Sequence, residues 1–409
     1  MRNKWSVLAF LCGIFVVYTV DRALLGLLAI PIQDETGMSN VRFGLLSSAI
    51  FWTYALAVPF AGLAGDRLDR GRLIGLAAIV WSLMTVLAGF AGGFWSLLVL
   101  VSFAIVVPQT VYSPTASALI ASLHDRTRTI AMSCHQAAFY TGWFVSGAAV
   151  AGIIAIFGSW RAVFFACGAA GILLGLAFLL FARGAAPGGP AVRQSGAPAI
   201  RQSLRAFFGC RSALLAGMGY VTVTFISCGY CTWGPKFIAT KFGISSAAAG
   251  TGVMFWHYAA SFAAILCAGF LTDAMVRRHP RFRLALSMAA MAVAIPALVL
   301  FALGSTLVLA LAGATVLGAA FGVICANQFT NLFDVIPSAH RAGSIGFLNV
   351  ITGLVGSLSP MILGALSQAR GLRGFECGFA AMGVLLLVPI ATFAISFFLT
   401  FEKERIVAE

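Results

Sequence analysis

Residues 17–26 read VYTVDRALLG. Within them Asp21 and Arg22 are the only charges of an apolar run that extends over residues 5–32. A charge at the centre of a membrane helix costs roughly 2.5–3.5 kcal/mol on insertion scales, so such groups usually serve a substrate or proton path, or a polar network between helices. The two residue types suit different tasks. A guanidinium is permanently charged and grips a carboxylate through two parallel hydrogen bonds, whereas a carboxyl group can carry a proton. Neighbouring residues on a helix point about 100° apart, so Asp21 and Arg22 are not expected to pair simply with each other. Each faces a neighbouring helix or a water-filled cavity. His135 and His257 lie in later apolar runs. Histidine titrates near neutral pH, so both are alternative proton carriers, or else packing histidines.

Composition decides what holds these groups. The chain is 61% hydrophobic and 9% charged, with a mean hydropathy of +0.99. A soluble domain carries about 25% charged residues, so a bilayer must be the solvent here. With about 20 apolar residues per span, the 409 residues divide into twelve spans: 5–32, 41–64, 73–92, 95–121, 129–156, 161–182, 213–238, 248–272, 284–303, 306–332, 342–366 and 375–400. Pro59, Pro108, Pro114, Pro235, Pro296 and Pro360 fall inside or at the ends of these spans, where neighbours can satisfy the freed carbonyls. Arg2 and Lys4 precede the first span as they would a signal peptide. The run is too long for one and lacks an A-x-A site, so the first helix is expected to be retained.

The net charge of +14 has a topological reading. Under the twelve-span division, nineteen of the 26 Lys and Arg fall on the side of the termini, six on the other, and Arg22 lies within the membrane. That asymmetry places both termini in the cytoplasm and argues against nucleic acid as a partner. A Pro/Gly/Arg-rich stretch containing GAAPGGPAVRQSGAP divides the chain into an N-terminal bundle (1–183), a linker (184–211) and a C-terminal bundle (212–409). The nine cysteines fall almost all in or beside spans, where thiols act as small hydrophobes. Cys228 and Cys231 have redox spacing, but CGYC sits within a span with no soluble fold around it. No phosphate-binding loop and no G-x-S-x-G elbow occurs. Neither an enzyme nor a cofactor is expected.

The two halves echo each other. GLAGDRLDRGR at 62–72 returns as GFLTDAMVRRHPRFR at 269–283, and GSWRAVFF at 158–165 as GLRGFECG at 371–378, each about half a chain later. Repeated halves around a midplane site are the layout of many secondary transporters. The first of these loops resembles the signature of the major facilitator superfamily, roughly G-x-x-x-D-[RK]-x-G-[RK]-[RK]. Gly62, Asp66, Arg67, Arg70 and Arg72 match it; the second glycine is displaced to Gly71, and Asp69 stands near its place. The resemblance implies an all-α integral membrane fold of twelve helices in two pseudo-symmetric six-helix bundles. It also implies a conformational latch at Gly62, Asp66, Arg67, Arg70 and Arg72, with Asp273 in the degenerate copy.

The D-R run of the first span, with FWTY at 51–54, WSL at 81–83 and FLNVITGLVGSLSP at 347–360, is similar to two branches of that superfamily. One is the anion:cation symporters, including sialin and sugar-acid carriers; the other is the spinster-type transporters. The resemblance to sugar-acid carriers implies that Arg22 binds a substrate carboxylate, that Asp21 is a proton site, and that Tyr54 and Asn349 complete the pocket. The fourth span departs from the pattern. Ser102 and Gln109 stand where relatives carry an arginine and a glutamate. Gln109 is counted with the substrate-binding residues, yet it cannot titrate as that glutamate does, so coupling rests on Asp21, His135 or His257. The expected function is alternating-access transport of a small organic anion by a monomer in the cell (inner) membrane, with or without protons. The alternatives are a spinster-like carrier of amphiphilic lipid and a non-transporting sensor on the same fold.

Overall fold

In hydrocarbon every backbone polar group must be paired within its own segment, so long apolar runs fold as helices. In a computed structural model of the chain, which describes residues 4–67, 69–124, 127–181, 197–276 and 278–406 (without the side chains of 61–67, 129, 197–200, 339 and 342), twelve helices are long and apolar enough to cross a membrane. They are α1 (Lys4–Leu27), α2 (Asn40–Arg67), α3 (Arg70–Ala88), α4 (Phe94–Leu123), α5 (Arg128–Phe157) and α6 (Trp160–Phe181). In the second half follow α7 (Arg211–Phe242), α8 (Ser246–Val276), α9 (Phe282–Leu303), α10 (Leu307–Phe333), α11 (Gly343–Arg370) and α12 (Leu372–Glu404).

Several helices are broken, and four of the breaks lie just before a proline. Proline has no N–H and cannot bond the carbonyl four residues back. Regular helix stops at Leu27, four before Pro31, and resumes as a short helix, Ala29–Thr36. Within α4 a π-helical turn, Leu98–Ala104, ends four before Pro108. In α11 the break follows Gly356, four before Pro360, and in α12 it follows Leu385, four before Pro389. The expected first span of 5–32 is therefore two helices. The expected linker also holds a helix, Ala197–Gly209, whose buried Phe207 lies edge-on to Phe347 of α11 at 5.7 Å.

The odd-numbered helices run away from the termini and the even ones return. The contacts between the two halves crowd toward the face opposite the termini, called here the far face. Small residues allow the close approach. A Cβ on Gly44 of α2 would sit 2.5 Å from the Pro360 carbonyl oxygen of α11, and one on Gly147 of α5 would sit 2.5 Å from the Thr251 Cα of α8. A polar clamp spans the same face. The Lys236 ammonium of α7 donates to Gln33 Oε1 and, at 2.8 Å, to Asn40 Oδ1. Asn40 also takes the Gln368 side-chain oxygen on its backbone N–H and donates to Ser367 Oγ, both at 3.0 Å.

Within the first half, Arg161 of the GSWR run donates to Glu35 at 2.6 Å and to the Gly89 and Ala91 carbonyls at 2.8 Å each, tying three loops together. Arg161's hydrogen bonds, then Trp160's, hold the Glu35 carboxyl below the usual carboxylate range. Lys241 and Glu376 form a comparable pair in the second half, 2.9 Å apart.

Candidate functional site

Toward the termini from the far-face closure, the halves part around a cavity of about 490 Å³. Its wall comes from α1, α2 and α5 of the first half and α7, α8, α10 and α11 of the second, reaching Val58, Thr224 and Gln328. Of the described residues that line it, Arg22 alone is charged. Its guanidinium lies over the Tyr54 ring at 4.5 Å, with the Tyr18 and Phe51 rings at 5.7 and 5.8 Å. Among the described residues no carboxylate forms an ion pair with it. The faces of aromatic rings attract a cation and stabilise it modestly, but they do not neutralise it. A positive charge on such a wall attracts anions, and the planar fork of a guanidinium has the geometry to grip a carboxylate.

Tyr54 and Asn349 line the same cavity, so three of the residues singled out in the sequence come together. Gln109 does not join them. It is 1% exposed and lines a separate, small enclosed cavity inside the first half, with Asp21 and Thr85. The Asp21 Oδ2 atom lies 3.5 Å from Thr85 Oγ1, which donates at 3.0 Å to the Trp81 carbonyl. The 100° turn between consecutive residues sends Asp21 inward among α3, α4 and α6 and leaves Arg22 on the wall of the central cavity. Arg22 borders both spaces.

The histidines are packed away from the cavity. His135 is stacked on Phe15 at 4.3 Å and shares a hydrogen bond of 3.0 Å with Tyr112 Oη. His257 is 4% exposed and lies against Tyr230 at 4.6 Å. Ser102, within the π turn of α4, donates to the Leu46 carbonyl at 3.0 Å and so pins α4 to α2. Of the latch residues, the side chains of Gly62, Asp66 and Arg67 lie outside the described residues. Arg72 and Asp273 are exposed, Arg70 is half-buried, and Asp69 caps α3 by accepting from Arg72 N at 2.7 Å.

Several lining residues were not singled out as site residues in the sequence. Thr224, Ser227, Cys228 and Cys231 all face the cavity from α7. Their spacing of i, i+3, i+4 and i+7 is one face of a helix, a signal present in the sequence. The CGYC thiols are thus cavity wall, unpaired with each other, and Cys231 Sγ lies 3.0 Å from Tyr258 Oη. Trp143 of α5 stacks on Tyr258 of α8 at 4.8 Å, joining the halves beside the cavity. An apolar groove of about 590 Å³ at Pro296 and Leu309 lies on α9 and α10 and shares no lining residue with the cavity.

The family model described as Major Facilitator Superfamily matches residues 10–360. The hexuronate transporter of Bacillus subtilis (strain 168) is 23% identical over 410 residues, covering 95% of this chain and 95% of its own length. A probable sulfoacetate transporter of Cupriavidus necator is 24% identical over 417 residues, covering 96% and 95%. Among solved structures, a bacterial homolog of the human lysosomal transporter Spinster, inward-facing and unoccupied, aligns with a TM-score of 0.84 at 22% identity over 99% of each chain. Twelve helices in two halves around a shared cavity, together with a family match over most of the chain, place this protein in the major facilitator superfamily.

Proposed function

We propose that this protein is a secondary transporter that carries a small organic anion, of carboxylate or sugar-acid type, across a membrane by alternating access. One observation carries the reading: among the described residues the Arg22 guanidinium is the sole charge on the wall of the cavity between the halves and has no carboxylate partner. Tyr54 and Asn349 supply neutral hydrogen-bonding groups beside it. The hexuronate and sulfoacetate transporters among the relatives are named for organic anions, which supports the same class.

The positive-inside bias puts both termini in the cytoplasm of a cell whose inner membrane holds the protein. On that orientation the far face is extracytoplasmic, and a molecule closed there with its cavity reaching toward the termini is inward-facing. The clamp of Lys236, Gln33 and Asn40 must then open for the anion to enter from outside, while the loop of Asp66 and Arg67 closes the cytoplasmic side. Asp21 is the coupling group. It is protonated when the cavity faces the side of higher proton concentration and releases the proton on the other side. The protein works as a monomer, since the cavity is completed by the two halves of one chain.

The test is a carboxylate screen on purified protein, followed by uptake into proteoliposomes. Thermal stabilisation by D-glucuronate or a related monocarboxylate, and its accumulation under an imposed pH gradient, are expected. Stabilisation by lysolipid with none by any carboxylate would replace this reading with the lipid-carrier one.

A further inference from the structure

Behind Arg22, inside the first half, lies an enclosed cavity of about 20 Å³. A buried water needs about 10–15 Å³ or more and two to four polar partners. Three side chains on this wall carry buried polar atoms with no protein partner: Asp21 Oδ1, Arg22 Nη1 and Gln109 Nε2. Gln109 is 1% exposed, and its Nε2 atom is buried without a partner. Buried polar groups without partners are costly, and their convergence on one small space points to an occupant.

The chemistry of the three atoms selects it. Arg22 Nη1 and Gln109 Nε2 can only donate, and an ionised Asp21 Oδ1 can only accept. A metal ion would face two N–H donors, and a halide would face the carboxylate. Water has two lone pairs for the two donors and a proton for Asp21. Its second proton finds Thr85 Oγ1, which already donates to the Trp81 carbonyl at 3.0 Å and lies a stretched 3.5 Å from Asp21.

We propose that this cavity holds a single water molecule that bridges Asp21, Arg22 and Gln109, and that Gln109 is thereby a positioning residue for the Arg22 guanidinium. With Nη1 tethered from behind, the other edge of the planar fork is presented over Tyr54 to the central cavity. The amide at 109 is suited to this role. A carboxylate there would replace a donor by an acceptor and set a second negative charge against Asp21. The positioning half of the proposal rests on the reading of Arg22 as the anion receptor; the water site does not.

The experiment is to determine structures of the wild type and of Gln109→Met at a resolution that shows ordered solvent, with D-glucuronate affinity and turnover measured on both. Methionine keeps the length of the side chain and removes its N–H. A solvent peak within hydrogen-bonding distance of Asp21 Oδ1, Arg22 Nη1 and Gln109 Nε2 is expected in the wild type and not in the variant. D-glucuronate affinity should fall about tenfold in Gln109→Met, the scale of one lost hydrogen bond, with turnover at saturation unchanged. A wild-type cavity without a peak, or an anomalous signal marking an ion, overturns the water site. An unchanged affinity, or a loss confined to turnover, overturns the positioning role. Should wild type not bind D-glucuronate at all, the sugar-acid form of the proposed function fails while the solvent peak still decides the site. The wild-type structure needs no variant, so it remains decisive if Gln109→Met does not fold.

Discussion

Asp21 and Arg22 are consecutive residues in opposite surroundings. Arg22 looks onto a cavity of about 490 Å³ between the halves; Asp21 looks into one of about 20 Å³ inside the first half. A single helical step separates a group on the wall of the large cavity between the halves from one that lines only the small cavity inside the first half. On the proposed function, two charges that look alike in a hydropathy profile hold separate tasks: Arg22 receives the anion, Asp21 carries the proton behind it, and Arg22, wall to both spaces, couples them.

The largest effect expected from breaking this division is at Arg22. Arg22→Ala should abolish carboxylate binding and uptake, and Arg22→Lys, which keeps the charge but loses the bidentate fork, should weaken binding by about tenfold or more. Radiolabelled uptake into proteoliposomes, with correct insertion checked by thermal melting, reads both. Asp21→Asn comes next and should split the activity. Accumulation driven by a pH gradient should vanish while exchange of substrate across the membrane continues. Loss of exchange as well would mean that Asp21 serves binding and that the two cavities do not divide the labour.

Smaller shifts are expected where the halves open and close. Lys236→Met removes the ammonium from Gln33 and Asn40 and should move the population toward the state open at the far face by roughly tenfold or less, the scale of a partly exposed charged hydrogen bond. Asp66→Asn, at the opposite face, should move it the other way and slow turnover without removing binding. Spin-label distances across each face measure both. The smallest effect belongs to a charge pair outside both cavities. The Glu35 carboxyl is held low by Arg161, so its contribution is present above the ordinary glutamate range, near pH ~4.3, and is lost as pH falls through the lowered folded value. Glu35→Gln should lower the melting temperature slightly at neutral pH, with the difference shrinking in acid, and should leave carboxylate binding untouched.

Much of the architecture was legible because hydrocarbon admits so few solutions. Twelve apolar runs become twelve helices, and the breaks before Pro31, Pro108, Pro360 and Pro389 follow from a missing N–H. Helical extent was less legible: α7 runs to Phe242, past the expected end at 238, with Lys241 held by Glu376 and the Ala302 carbonyl at the far face. The site divides in the same way. An intramembrane arginine announces itself by its cost, and Arg22, Tyr54 and Asn349 meet at one cavity. That Gln109 lies instead behind Arg22, and that His135 and His257 are packed among rings, depends on helix rotation within the bundle, which hydropathy does not encode. The clamp at Lys236 needed the meeting of two halves, which no local pattern specifies.

The central claim is that Arg22, and not Asp21, is the anion receptor. Calorimetric titration of D-glucuronate into purified wild type, Arg22→Ala and Asp21→Asn, side by side, tests it most directly. Binding is predicted in the wild type, an affinity within a few-fold of it in Asp21→Asn, and no measurable heat in folded Arg22→Ala. Binding by folded Arg22→Ala at the wild-type affinity would contradict it.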